Sequence, residues 1–194
     1  MKKIFEQGEF KNYSQYSLNE ARASIKKSYQ FSEPTTTIFI SHKHDELEDL
    51  KDILGFLEKN FDVKVYIDSK DPSLPTITSG ETASRIKKRI NDCDKFILLA
   101  TNGAIESKWC NWELGFGDAK KFEKNIALFP MKPAKTSDWS YKGSEYMSIY
   151  PYITFFDGSE TDIEGNFVSK GYYIFTEKKD GTYITPFKEW LLEK

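Results

Sequence analysis

The strongest constraint on this chain is an alternation that repeats from residue 35 to residue 131: a short apolar or β-branched run, then a stretch with apolar residues at helical spacing. The run 35–41, TTTIFIS, ends in the polar segment SHKHDE. A helical pattern follows over 47–60, with Leu47, Leu50, Ile53, Leu54 and Leu57 on one face. Residues 63–67 then read as a second strand. A second amphipathic helix carries Ala83, Ile86 and Ile90, and 95–100, KFILLA, has the near-continuous apolarity of a central parallel strand covered on both faces. A third helix over 107–122 leads to a strand at 125–131. Strands alternating with helices predict a parallel sheet with right-handed crossovers. Beyond residue 133 the regularity weakens, although 149–156 resembles a fifth strand, 171–184 a hairpin around Lys179 to Gly181, and 186–192 a short closing helix.

With 194 residues there is room for one domain. Basic and acidic side chains number 28 and 30 and are mixed along the chain, so no broad cationic field exists to hold a phosphate backbone, and nucleic acid is not expected as a ligand. No apolar run approaches a bilayer's thickness, and the N-terminus lacks the apolar core of a signal peptide. A cytoplasmic protein with no membrane partner is expected, and with it reduced thiols at Cys93 and Cys110. Residues 1–34 read as an N-terminal extension with a short helix placing Leu18, Ala21, Ile25 and Tyr29 together.

In an open α/β sheet, ligands bind at the carboxyl ends of the strands. This directs attention to 41–45, 68–80, 101–107 and the loop after residue 131. The segment SKWCNWELGFG, at the start of the third helix, puts Glu113 one turn after Trp109 and among Cys110, Trp112, Leu114 and Phe116. A helical glutamate is ordinarily a cap or a lysine partner on a wet face. Set amid these apolar neighbours, Glu113 is instead a candidate functional carboxylate.

Other constellations are weaker. His42, His44 and Asp45 lack further Cys or His to complete a metal site, and they read as loop residues. Cys110 has no histidine near in sequence, so it reads as packing rather than nucleophile. No GxSxG, P-loop or GxGxxG sequence occurs. Arg85, Lys87, Lys88 and Arg89 read as a solvated helix face.

The segments TTIFISHKHDE, VYID with the loop DPSLPTITSGE, RIKKRINDCDKFILLAT and SKWCNWELGFG, in this order, resemble the successive boxes of a Toll/interleukin-1 receptor (TIR) domain over about residues 35–156. Ser107, Trp109, Cys110 and Glu113 are similar to the signature of TIR domains that hydrolyse or cyclise NAD, here of the bacterial, Thoeris-like antiphage type. The resemblance implies an α/β, flavodoxin-like fold, with about five parallel strands, helices on both faces, and a C-terminal hairpin and helix (157–194) packed on the same domain. It implies that Glu113 is catalytic, that Trp109, Ser107 and Cys110 lie at the substrate site, and that Ser41, His42 and Lys43 line the cleft. It makes the loop carrying Asp68, Leu74, Ile77 and Gly80 an assembly element that borders the site.

On this reading NAD+ is the substrate and no cofactor or metal is needed. The products are nicotinamide and either ADP-ribose or a cyclic isomer, made as a defence signal for a separate effector, with self-association through TIR–TIR contacts. Trp109, Trp112 and Phe116 are the available screens against water. Two other readings compete: a non-catalytic TIR scaffold for homotypic assembly, and a nucleoside deoxyribosyltransferase-like enzyme that also sets a glutamate at a ribose carbon.

Overall fold

A computed structural model describes residue 1 and residues 3–13, 36–67, 80–121 and 123–193. The N-terminal helix expected around Leu18 to Tyr29, and Asp68, Leu74 and Ile77 of the assembly loop, lie outside the described residues. Strands β1 (Phe5–Glu6), β2 (Thr36–Ser41), β3 (Val63–Ile67), β4 (Lys95–Thr101), β5 (Ile126–Lys132), β6 (Tyr152–Phe156), β7 (Gly171–Lys178) and β8 (Gly181–Pro186) form one sheet. Among the described residues the helices of four residues or more are α1 (Leu47–Asn60), α2 (Gly80–Asp92), α3 (Asn102–Glu106), α4 (Lys108–Lys121), α5 (Ser144–Ile149) and α6 (Phe187–Leu192).

The strand order is β3-β2-β4-β5-β6-β7-β8, parallel through β6 and antiparallel beyond it. This is the mixed α/β architecture expected from the alternation, with the C-terminal hairpin and helix in place. Every residue of β4 and β5 is buried, which explains why their sequences show no polar alternation. On one face lie α1 and α6, with Leu50, Ile53 and Leu57 in the same cluster as Phe187 and Trp190. On the other lie α2 and α4, with Ile86, Ile90, Cys110 and Leu114 over Phe39, Phe96 and Leu98.

The N-terminal segment contributes a strand that its sequence did not announce. β1 pairs in parallel with the carboxyl end of β5, Phe5 opposite Met131 and Glu6 opposite Lys132, while β6 pairs with β5 lower down, at Leu128 and Tyr152. Pro130 falls between these two partners. Leu128 donates its N–H toward β6, and Lys132 accepts from Gln7 of the N-terminal segment. By the two-residue alternation Pro130 faces the same side, so its missing N–H lies at the seam, where it costs no ladder bond. Phe5 and Phe10 are buried against Phe56 and Phe129, and a two-residue strand held by such packing leaves no periodic trace in sequence.

Candidate active site

The carboxyl ends of β2 and β4 share one edge of the sheet, and the loops leaving them build the site. Ser41 is the last residue of β2 and is fully buried. Glu113 lies one and a half turns into α4, and is 1% exposed. The Ser41 hydroxyl donates to Glu113 Oε2 at 2.5 Å, joining residues 72 apart in sequence. A buried carboxylate is tolerated only where hydrogen bonds compensate its lost hydration. Here that donor comes from the strand end that the sequence placed in the cleft.

Two glycines let the elements close in. Gly117, one turn beyond Glu113, faces Phe96 of β4: a Cβ there would sit 3.1 Å from the ring, so glycine sets how near α4 lies to the sheet. Gly103, in the first turn of α3, is approached by Glu46 and Lys43 of the β2–α1 loop. The Thr101 hydroxyl caps α3 by accepting from the Ala104 N–H at 3.0 Å, and it also donates to Glu46 Oε2. Burial pushes the Glu46 carboxyl above its ordinary pKa, although the Thr101 hydrogen bond opposes this.

His42 is 2% exposed, and its ring stacks on that of His44 at 5.8 Å. Lys43, half-buried, pairs with Asp45 at 3.1 Å. That hydrogen bond holds the ammonium above its ordinary pKa and the carboxyl below. Trp109 stacks on Trp112 at 4.8 Å, and Trp112 on Phe116 at 6.2 Å. Lys87 of α2 lies 5.6 Å from the Trp112 ring and 5.5 Å from Phe116, so the aromatic row is roofed by a cation. Arg85 and Lys88 of the same basic cluster pair with Glu81 and Asp92 on their own helix.

The structure thus brings Ser41 and Glu113 into contact, with His42 and Lys43 in the loop that leaves β2 and Trp109 one turn before Glu113 on α4. Ser107 and Cys110 are placed for the helix itself. Ser107 Oγ accepts from the Cys110 N–H at 3.3 Å at the start of α4, and Cys110 is buried in the apolar cluster beneath it. Gly80 is the exposed first residue of α2. Sequence reasoning passed over Glu46, and within the 101–107 segment it pointed to, it singled out none of Thr101, Asn102 and Gly103. Glu46 looks like an ordinary acidic residue before a helix, a position where acids are common. Asn102 ties the β4 end to the loop after β5, donating to Ser140 O and accepting from Lys142 N, both at 2.8 Å.

Among the described residues no three His, Cys, Asp or Glu side chains gather as metal ligands, and no helix is long and apolar enough to cross a membrane. A buried carboxylate with one hydroxyl donor, next to an aromatic row, suits stabilisation of a cation that forms beside it.

The sequence profile of the TIR domain matches residues 38–166, a span holding every side chain of this site. A curated relative from Bacillus cereus (strain MSX-D12), described as "Probable 3' cyclic ADP-D-ribose synthase ThsB'", is 29% identical over 156 residues, covering 70% of this chain and 79% of the relative.

Proposed function

This chain belongs to the TIR domain family, and from that premise we propose that it is an NAD+-cleaving enzyme of bacterial antiphage defence with Glu113 as its catalytic carboxylate. The observation that carries the reading is the Ser41–Glu113 contact: a carboxylate sealed from water at the carboxyl edge of the sheet and aimed by a strand-end hydroxyl. The relative's described product is a cyclic ADP-ribose, which supports the same class of chemistry here.

NAD+ carries a positive charge on its pyridinium nitrogen. When the nicotinamide–ribose bond breaks, both bonding electrons leave with nicotinamide as a neutral base, and the positive charge passes to the ribose as an oxocarbenium ion. No general acid is needed, because the leaving group gains no negative charge. What must be supplied is an anion close to the forming cation, in surroundings where its field is not screened. Glu113 supplies it, and the Ser41 hydroxyl fixes the carboxylate's orientation in advance.

The cation is then captured. Water yields ADP-ribose and a proton, whereas a nucleophilic atom of ADP-ribose itself yields a cyclic isomer, and that atom's proton, if it bears one, leaves for solvent. Exclusion of water by Trp109, Trp112 and Phe116 favours the second course. The cyclic product then acts as a signal for a separate effector. Activity depends on self-association through the loop carrying Leu74 and Ile77.

The test is to incubate the purified protein with NAD+ over a range of protein concentrations, following nicotinamide release and product mass. Nicotinamide with a product of cyclic ADP-ribose mass is expected, with specific activity rising with concentration and lost in Ile77→Asp. Absence of nicotinamide at every concentration would exclude NAD+ cleavage. Linear ADP-ribose alone would replace signalling by depletion, and flat, equal specific activity in both proteins would remove the assembly requirement.

A further inference from the structure

Glu46 stands at the N-cap of α1, yet its side chain makes no capping bond to that helix. It reaches across the strand edge to accept from Thr101, the cap of α3. Its own N–H donates to Lys43 O at 3.0 Å, closing a tight turn over 43–46. The turn is thereby drawn onto the first turn of α3, where a Cβ on Gly103 would overlap Glu46 Oε1 and lie 2.7 Å from Lys43 Cδ.

α3 is in turn joined to α4. Ser107 N–H donates to Ala104 O at 3.1 Å, and Asn111 of α4 donates its side-chain amide to Ile105 O at 2.9 Å. The loop that begins at Ser41 is therefore attached to the α3–α4 unit at two points. One is Ser41 on Glu113 and the other is Glu46 on Thr101. A loop held at one point can swing about it, whereas two points fix its orientation. Between them lie His42 and Lys43. Half-burying a carboxylate to make the second attachment opposes stability, which is a common mark of residues kept for function.

We propose that Glu46 is a positioning residue for the NAD+ site: with Thr101 and Gly103 it clasps the 42–46 loop against the helix pair that carries Glu113, and so sets where substrate is held. The proposal rests on the NAD+-cleaving reading, and it separates binding from bond breaking. Releasing the clasp moves His42 and Lys43 but leaves the Ser41–Glu113 contact and the carboxylate in place.

The experiment compares Glu46→Ala, Glu46→Gln, Gly103→Ala and the Glu46→Ala/Gly103→Ala double variant in steady-state kinetics with NAD+, and in hydrogen exchange of the amides of residues 42–46. Glu46→Ala should raise KM about tenfold with kcat changed less than about threefold, the pattern of lost positioning without lost transition-state charge. Gly103→Ala, which crowds the clasp without touching a charge, should do the same. The double variant should be no worse than either single one, because both break one contact. Glu46→Gln, which keeps an acceptor for Thr101, should stay within about threefold of wild type. The loop amides should exchange faster in the Ala variants.

An unchanged KM in Glu46→Ala, additive losses in the double variant, a Gln variant as impaired as Ala, or unchanged exchange would each overturn the proposal. A purely structural role would lower the melting temperature and leave KM where it is. Should wild type release no nicotinamide at all, the NAD+ reading falls, and the exchange measurement by itself decides whether the clasp holds the loop.

Discussion

Glu113 and Lys95 are both shut away from solvent, at 1% and 0% exposure, and they sit at opposite ends of the same sheet. Lys95 opens β4 at its amino end, where its ammonium donates to Asn125 Oδ1 at 2.7 Å and lies 4.6 Å from the centre of the Trp190 ring. Its surroundings are a 3-10 turn and the closing helix α6. Glu113 faces the carboxyl end, where β2 ends in Ser41 and the Ser41 hydroxyl reaches its carboxylate. The pair teaches that burial of a charge does not by itself mark a site. An amide acceptor and an aromatic face stabilise Lys95 in a closed corner, whereas Glu113 is buried beside the sheet edge at which open α/β folds bind their ligands.

The largest expected effect breaks the comparison at its functional end. Glu113→Gln retains size and a hydrogen-bond acceptor for Ser41 but removes the negative charge. Nicotinamide release should fall on the order of a thousandfold or more, about 4 kcal/mol of transition-state stabilisation. The melting temperature should hold or rise, since the buried charge is gone. A variant cleaving NAD+ within a few-fold of wild type would remove Glu113 from the chemistry.

Ser41→Ala should come next. It leaves the charge in place but deletes the donor that orients it, so kcat should fall about ten- to a hundredfold, in line with the loss of one hydrogen bond to a buried charged group. Equal losses in Ser41→Ala and Glu113→Gln would mean that the charge acts only when the hydroxyl orients it, and an unchanged kcat in Ser41→Ala would remove the orienting role.

At the structural end, the effect should appear in stability and not in turnover. Burial pulls the Lys95 pKa down from 10.5 to about 8, against the charges of Glu193 and Asp94 and with that of Lys124. Between these two pH values the unfolded chain binds more protons than the folded one, so this lysine makes the fold more stable as pH rises from about 8 to 10.5. The gain should approach about 3 kcal/mol at most. Chemical denaturation across that range, compared between wild type and Lys95→Met, isolates it from other titrating groups: the difference between the two proteins should shrink or reverse with rising pH, while NAD+ turnover stays equal. A pH-independent difference would show that Lys95 keeps its ordinary pKa.

The smallest effect is expected at the thiols. Cys93 and Cys110 are both buried and free, and burial pushes the Cys93 thiol up to about 12. Neither should react with iodoacetamide at pH 8 in the folded state, because the thiolate is the nucleophile. Rapid alkylation of Cys110 with loss of activity would place it in the cleft instead of the core.

Local sequence was sufficient where a structural decision is itself local. The face Leu50, Ile53, Leu54 and Leu57 marked α1, and the apolar run Phe96 to Ala100 marked β4, because helix and strand periods are written into residues a few positions apart. Glu113 stood out by the same short-range logic, as an acid among Trp109, Cys110, Trp112 and Phe116, and the ordered boxes gave it a family. Tertiary structure decided the rest. The Ser41–Glu113 contact spans 72 residues, the Thr101–Glu46 contact 55, and Gly103 matters only because another loop lies on it. In sequence Glu46 and Lys95 were an unremarked helix-start acid and the first residue of a strand. Their surroundings are assembled from distant segments by the order β3-β2-β4-β5, and no window along the chain contains that order. The physical reason is range: backbone periodicity and side-chain propensity act over one or two turns, whereas desolvation and hydrogen bonding depend on which chain segments the sheet places side by side.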